Sequence, residues 1–279
     1  MKYSMCLSTN PAQFEAVPFK GDFRQNVQKI AEMGFDGIEL AIRDPNIIDQ
    51  DEIYSILEIA GMQVPAIGTG QAWGEEGLSF TDPDSKIREK AIERVLSHID
   101  FAARTGALII IGLLRGVVKP GVTLIDADQW LHEAFSYCCK KAALQDVCIA
   151  FEPINRYETS LLNSVRSGLK FIDEIGGENL GMLLDTFHMN IEEPSIEESI
   201  RIAGDRMFHF HYADSNRLYP GCGHIDFRSI LKVLHRIDYK GFLSGEHRPD
   251  PEPALAAAQG LRYLRVLEEE LEEEVVAFR

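Results

Sequence analysis

Residues 207–214 read MFHFHYAD, and the regular alternation of this stretch decides the fold. Side chains of a β-strand point alternately to opposite faces. If His211 points to one face, His209 shares that face, and the opposite face carries Phe208, Phe210 and Tyr212. One apolar and one polar face are typical of a strand in a closed barrel whose outer surface is covered by helices.

Seven further segments have the composition of buried strands, and helix-like segments lie between them. In chain order the eight begin at residues 3, 36, 63, 107, 147, 180, 207 and 241, reading YSMCLS, DGIELAI, QVPAIGTG, ALIIIGL, VCIAFE, LGMLLD, MFHFHYAD and GFLSGE. The clearest helix spans residues 86–105, where apolar side chains recur at helical spacing. Eight βα units in 279 residues predict a single-domain (β/α)8 TIM barrel, although a doubly wound sheet shares the alternation.

The last inward positions of predicted strands five to eight are all ionisable, and they are Glu152, Asp185, His211 and Glu246. An inward Asp185 turns Leu184 and Met182 toward the helices, and an inward Glu152 does the same for Phe151. Consecutive strands are neighbours in a barrel, and the catalytic groups of this fold gather at its C-terminal face. We therefore expect these four side chains to converge.

We interpret the four residues as ligands of one divalent cation. Singly, each has a structural explanation: Asp185 could cap a turn, and His211 could be a hydrogen-bonded core histidine. Together they would repel one another, at a cost of several kcal/mol per buried charge without a counter-ion. Three carboxylates and an imidazole suit a divalent cation such as Mn²⁺ or Mg²⁺, with Zn²⁺ or Co²⁺ as alternatives. His209, one layer deeper, is interpreted as support or core.

The segments FEPINRYET, LLDTFHMNIEE, HFHYADSNRLYPGCGHIDF and SGEH resemble the xylose-isomerase-like TIM-barrel family, and within it the ketose 3-epimerases. The segments IRDP, AIGTGQAW and IIGLLRG add a resemblance to the 5-keto-L-gluconate epimerase type. The resemblance implies that the four residues hold one metal ion, and that Glu152 and Glu246 also act as the acid/base pair. It further implies that Glu158, His188 and Arg217 contact substrate oxygens.

Two arginines bear on the charge of the substrate. Arg43 follows the second predicted strand and Arg115 follows the fourth, so both are expected at the active face. A guanidinium there suits a carboxylate or a phosphate, and Arg115 is the stronger candidate for substrate binding. An ion pair within the protein, such as Arg43 with Asp44, explains the same residues equally well. Trp73 could cover an apolar face of a sugar or anchor its loop.

These features predict a metal-dependent epimerase of a keto-sugar or keto-sugar acid, which removes and returns a proton through a cis-enediolate. An aldose–ketose or hydroxypyruvate isomerase on the same scaffold would use the same groups. An endonuclease IV-like DNA repair enzyme would need more histidines and a basic groove, which the net charge of -16 opposes. A non-catalytic sugar-binding protein would not need the glutamate pair.

The remaining features are those of a cytoplasmic protein without a membrane or nucleic-acid partner. The five cysteines are odd in number and lack CxxC spacing, which predicts reduced thiols. Neither a signal peptide nor a membrane span is predicted. We expect an acidic helix end at about residues 265–279. The resemblance also implies a homo-oligomer.

Overall fold

A computed structural model describes residues 1–277 of the chain. Within this range, eight parallel strands close into a barrel in sequence order, and the last strand pairs with the first. The strands are β1 Lys2–Ser8, β2 Gly37–Ala41, β3 Ala66–Gly68, β4 Leu108–Ile111, β5 Ile149–Phe151, β6 Leu180–Asp185, β7 Met207–Tyr212 and β8 Phe242–Gly245. The closed order confirms the predicted (β/α)8 barrel and excludes the doubly wound sheet, which has open edges.

At least one helix follows every strand. The α-helices of residues 1–277 are α1 Phe23–Glu32, α2 Gln50–Ile59, α3 Gly70–Glu76, α4 Ser85–Ala102, α5 Leu124–Ala143, α6 Val165–Ile175, α7 Thr186–Glu192, α8 Ile196–Ala203, α9 Phe227–Arg236 and α10 Pro253–Ala277. Short 3₁₀-helices span Pro45–Ile47, Leu113–Arg115 and Gly204–Arg206. Helix α10 includes most of the acidic end predicted at 265–279, of which residues 278–279 lie outside the described residues. No helix in residues 1–277 combines the length and the apolar content that crossing a membrane requires.

Side-chain caps fix where several helices begin. Asp226 accepts a hydrogen bond of 3.1 Å from the backbone N–H of Ser229 and so caps α9. Thr123 and Asp126 form a reciprocal capping box at the start of α5. Such caps satisfy N–H groups that the helix leaves unpaired, and each contributes about 0.5–2 kcal/mol.

Buried apolar side chains form two groups, one on each face of the barrel strands. The larger group lies between strands and helices and includes Phe151, Leu184 and Phe210. The smaller group fills the barrel interior and consists of Ala66, Ile110, Ala150 and Leu183. The predicted alternation in β5 and β6 is therefore confirmed. Because the interior cluster is small, the C-terminal end of the barrel is left to polar side chains.

The alternation predicted for β7 is wrong at Phe208. Met207 pairs with Met182 of β6, but the next pair along β6 joins Leu183 to His209. Phe208 is therefore an extra residue, a β-bulge, and its ring packs against the interior cluster instead of the helices. One strand read alone cannot reveal a bulge, because the extra residue is defined by the partner strand.

Candidate active site

The four ionisable residues at the ends of β5 to β8 converge in the structure. Asp185 ends β6, His211 lies one residue before the end of β7, and Glu152 and Glu246 directly follow β5 and β8. One potential ligand atom from each residue lies within 4.8 Å of the others. Three of the side chains are buried and Glu246 is partly buried. The barrel thus brings together residues that lie up to 94 positions apart in the chain.

Two buried polar atoms at the centre of this cluster fit a bound cation. Oδ1 of Asp185 accepts a hydrogen bond of 2.7 Å from the backbone N–H of Phe187 and caps α7, but Oδ2 has no hydrogen-bond partner among the described residues. Nδ1 of His211 also has none within residues 1–277, and it lies 3.7 Å from Oε2 of Glu246. Leaving such groups unpaired is costly. A divalent cation that accepts oxygen and nitrogen ligands would satisfy both atoms.

The electrostatics of the cluster also favour a cation. Burial raises the pKa of Glu152 well above its usual range, and the neighbouring Glu246 carboxylate raises it further. Burial also raises the pKa of Asp185 to about 6. Burial would lower the pKa of His211, but the carboxylates of Glu39 and Glu246 outweigh it and raise that pKa well above its usual value. The cluster therefore retains protons that a bound cation would displace.

A chain of hydrogen bonds orients His188 beside the cluster. The backbone N–H of Tyr157 donates to Oδ1 of Asn155 at 2.9 Å, which assigns the other amide atom of Asn155 as its nitrogen. That Nδ2 donates to Oε1 of Glu158 at 2.7 Å and to Nδ1 of His188 at 2.8 Å. Nη1 of Arg217, which can only donate, lies 3.2 Å from Nε2, so only one of the two contacts can be a hydrogen bond to a neutral ring. The shorter contact, from Asn155, places the proton of the His188 ring on Nε2. Burial and the charge of Arg217 lower its pKa well below the usual value, so the ring is neutral.

The proton on Nε2 of His188 points to a space that it shares with two charged groups. Nε2 lies 3.7 Å from Oε1 of Glu152 and 3.2 Å from Nη1 of Arg217. Two N–H donors from His188 and Arg217 thus face the same region. An oxygen placed between them could accept from both, which is what a substrate carbonyl or hydroxyl offers.

Arg217 is held against the cluster by its side chain and its backbone. Its guanidinium donates to Oε2 of Glu246, lies 3.5 Å from Oδ2 of Asp185, and stacks 4.5 Å from the ring centre of Phe187. Its backbone φ is 61°, in the left-handed region that residues other than glycine seldom adopt. A hydrogen bond of 2.8 Å from its N–H to the carbonyl of Asp214 holds this conformation. Backbone strain of this kind concentrates at functional positions.

The two arginines considered as anion ligands do not line the cavity at this site. Arg115 is fully buried, donates to the backbone carbonyl of Glu152, and places its guanidinium 4.8 Å from the ring centre of Phe151. The 3₁₀-helix after β4 turns its side chain beneath β5, where burial lowers its pKa to about 10. Nε of Arg43 lies 3.5 Å from Oε1 of Glu76. The placement of Arg115 therefore contradicts the expected substrate contact.

A cavity of about 550 Å³ lies at the C-terminal face of the barrel, lined by residues of the cluster and by loops that follow β1 and β3. Its volume is in the range of small-molecule sites. Gln71 and Trp73 of α3 line it, as do Phe187 of α7 and Arg217 of the loop after β7. Arg248 also lines the cavity, and its Nε lies 3.5 Å from Oε2 of Glu15. Sequence reasoning missed Gln71 and Arg248 because neither lies at an inward strand position.

The family model described as Xylose isomerase-like TIM barrel matches residues 27–267. The chain belongs to this family. An L-ribulose 3-epimerase of Methylomonas sp. (strain DH-1) is 31% identical over 239 residues, which cover 83% of this chain and 82% of that protein. A 3-dehydro-D-guloside 4-epimerase of Escherichia coli (strain K12) is 27% identical over 256 residues, covering 88% and 95%.

A solved structure of D-allulose 3-epimerase from Methylomonas sp. in complex with D-allulose is also similar. It has a TM-score of 0.80 and 26% identity, and the match covers 95% of this chain and 96% of that one. These relatives are epimerases, which are enzymes of the isomerase class. The four converging residues all lie within the part of the chain that the family model matches.

Sequence reasoning also missed Glu39 of this protein. Glu39 lies on β2, is 3% exposed, and lies within hydrogen-bond distance of both His209 and His211. Burial would raise its pKa, but the two histidines hold the pKa well below its usual range. A carboxylate at an inward position of the segment DGIELAI was a usable signal, since a buried charge requires a partner. The partners, 170 and 172 residues away, could not be identified from the sequence.

Proposed function

We propose that this protein is a divalent-metal-dependent epimerase of a keto-sugar or keto-sugar acid. The observation that carries the proposal is the convergence of Glu152, Asp185, His211 and Glu246 beside a cavity of about 550 Å³, which three of the four residues line. Relatives that are sugar epimerases, at about 30% identity, supply the reaction class. The relatives include both 3-epimerases and a 4-epimerase, so we do not assign the position of the carbon that is inverted.

The four converging residues would hold the metal ion, for which Mn²⁺ is our first candidate and Mg²⁺, Co²⁺ and Zn²⁺ are alternatives. The unpartnered Oδ2 of Asp185 and Nδ1 of His211 support this assignment. When bound, a divalent cation would polarise the substrate carbonyl and stabilise the negative charge that develops on its oxygen.

Glu152 and Glu246 would transfer the protons. Inverting a carbon next to a carbonyl requires removal of its proton on one face and delivery of a proton on the other. The two glutamates follow different strands, β5 and β8, and both line the cavity, so each can approach a bound sugar from its own side. A positioned group of this kind contributes about 10²–10⁴-fold to the rate.

The neighbouring polar residues would bind and orient the substrate. Nε2–H of His188 and the guanidinium of Arg217 face one region and are suited to an oxygen that gains negative charge. Glu158 lines the cavity and can accept a hydrogen bond from a sugar hydroxyl. A carboxylate on the substrate would meet Arg248, since Arg115 and Arg43 do not line the cavity.

The test is a substrate screen in D₂O. The protein is stripped of metal, reloaded with Mn²⁺ and incubated with a panel of ketoses, ketose phosphates and keto-aldonates. The products are followed by NMR. We expect deuterium at one inverted stereocentre with the carbonyl retained. Deuterium at the former carbonyl carbon, with the carbonyl now on the adjacent carbon, would instead indicate an aldose–ketose isomerase. The Glu246→Gln variant serves as the control for contaminating activity, and absence of turnover across the panel would contradict the proposal.

A further inference from the structure

Glu39 links the first half of the barrel to the candidate metal site in the second half. Ile38 and Leu40, its neighbours on β2, belong to the outer apolar layer, so Glu39 points to the interior. Its Oε2 lies 2.7 Å from Nε2 of His209 and 2.9 Å from Nε2 of His211, and its Oε1 lies 3.0 Å from the same His211 nitrogen. One carboxylate therefore accepts hydrogen bonds from two imidazoles.

These contacts determine which nitrogen of each ring carries a proton. A carboxylate can only accept hydrogen bonds, so Nε2 is the donor in both histidines. A neutral His211 then has its lone pair on Nδ1. That atom has no hydrogen-bond partner in the described part of the chain, and it lies 4.0 Å from Oδ2 of Asp185 and 3.7 Å from Oε2 of Glu246. The nitrogen that can bind a metal thus faces the other ligands.

We propose that Glu39 is a positioning residue that fixes the ring orientation and the tautomer of His211 for metal binding, with His209 as a second donor to the same carboxylate. The inference rests on the proposed metal site. Without Glu39, the His211 ring could rotate or carry its proton on Nδ1, and either change removes a ligand from the cluster. Partners of this kind typically alter metal affinity by about 10–100-fold.

A second metal ion held by Cys6, Glu39 and His211 is the competing interpretation, because potential ligand atoms of these residues also lie within 4.8 Å of one another. The contacts between Glu39 and His211 have the length of N–H···O hydrogen bonds. Sγ of Cys6 lies 3.7 Å from Oγ of Ser244, so the thiol has a hydrogen-bond partner other than Glu39 and His211. The geometry therefore favours a hydrogen-bonded support.

The experiment measures Mn²⁺ binding to protein stripped of metal, by electron paramagnetic resonance titration. We expect one ion per chain in the wild type and an affinity about 10–100-fold lower for Glu39→Gln. Glu39→Asp, which keeps the carboxylate, should recover part of the loss. Cys6→Ala is the matched control in the same buried cluster, and it should bind Mn²⁺ as the wild type does. Wild-type affinity in Glu39→Gln, or a second ion that Cys6→Ala removes, would overturn the inference.

Two further measurements distinguish a failure of the proposed metal site from a failure of the proposed role of Glu39. If Asp185→Asn also leaves Mn²⁺ affinity unchanged, the proposed metal site itself is wrong, whereas a loss in Asp185→Asn without one in Glu39→Gln refutes only the role of Glu39. If Glu39→Gln does not fold, ¹⁵N NMR of the Zn²⁺-loaded wild type tests the tautomer directly. The His211 signals, assigned by their absence in His211→Gln, should show a proton on Nε2 and none on Nδ1. A proton on Nδ1 would refute the inference.

Discussion

The two halves of the barrel mouth differ in chemistry although they share one architecture. Each of strands β5 to β8 carries an ionisable group within one residue of its C-terminal end, namely Glu152, Asp185, His211 and Glu246. Strands β1 to β4 end in uncharged residues, namely Ser8, Ala41, Gly68 and Ile111. The same fold position thus provides charge on one side and space on the other. Both halves line the cavity, but the four converging ionisable groups belong to the second half alone.

The first half nevertheless shapes the site in the second. Gly112, directly after β4, leaves room for Glu152, since a Cβ at this position would overlap Oε2 of that carboxylate. Glu39 on β2 reaches across the interior to His211. Arg115, after β4, donates to the backbone carbonyl of Glu152. The first half therefore contacts and supports two of the four residues that the ends of β5 to β8 bring together.

Removal of the metal ion should have the largest effect. Chelation should reduce activity to background and expose the mutual repulsion of the buried carboxylates, because their counter-ion is lost. Hydrogen exchange measured by mass spectrometry should then rise more at the C-terminal ends of β5 to β8 than at those of β1 to β4. Addition of Mn²⁺ should restore both properties. Full activity in protein shown to be free of metal would contradict the proposed role of the cluster.

The second prediction compares one substitution in both halves. Glu246→Gln keeps the size of the side chain but removes a proton-transfer group and a candidate ligand, so kcat should fall by about 10²–10⁴-fold or more. Glu75 lines the cavity from α3 in the first half, and Glu75→Gln should leave kcat nearly unchanged. Steady-state kinetics with a substrate from the screen checks both variants. Equal losses would show that the charge of the first half also takes part in the reaction.

The third prediction tests whether the first half supplies space. Gly112→Ala should displace the Glu152 carboxylate, and a displacement of about 1 Å can lower the rate by about 10²-fold. Gly74 also lines the cavity, but a Cβ there would meet no atom within 4 Å, so Gly74→Ala is the matched control. Kinetics and thermal unfolding of both variants provide the measurement. An active, wild-type-like Gly112→Ala enzyme would be incompatible with the described position of Glu152.

What the sequence could predict depends on how local the determining interactions are. The strands and the convergence of the quartet follow from short-range alternation, and the barrel then brings the strand ends together. The bulge at Phe208 depends on the register of β6, and the role of Glu39 depends on partners 170 and 172 residues away. Arg115 does not line the cavity because its guanidinium contacts the backbone carbonyl of Glu152 and the ring of Phe151, contacts that its own segment does not reveal. Neither register nor such contacts can be deduced from a single segment.

The fourth prediction replaces the expectation that Arg115 binds an anionic substrate. Arg115→Met should lower the free energy of unfolding by about 1–3 kcal/mol, because the buried carbonyl of Glu152 loses its donor. The ratio of KM for acidic and neutral sugars should not change, since Arg115 has no exposed surface. Denaturant unfolding and kinetics on both substrate classes measure the two quantities. A selective increase of KM for acidic sugars would restore the original interpretation.

The smallest effect is expected at Arg43, the other arginine considered as an anion ligand. The expected pair with Asp44 is absent among the described residues, since Asp44 pairs with Arg94 at 3.0 Å and Arg43 lies 3.5 Å from Glu76. The side chains of Arg43 and Glu76 are each about one-third exposed, so their attraction is screened by solvent. Arg43→Ala should change the free energy of unfolding by about 0–1 kcal/mol. Because the side chain does not line the cavity, KM should stay the same for both substrate classes. A larger KM for acidic sugars alone would show that the first half of the barrel also recognises the charge of the substrate.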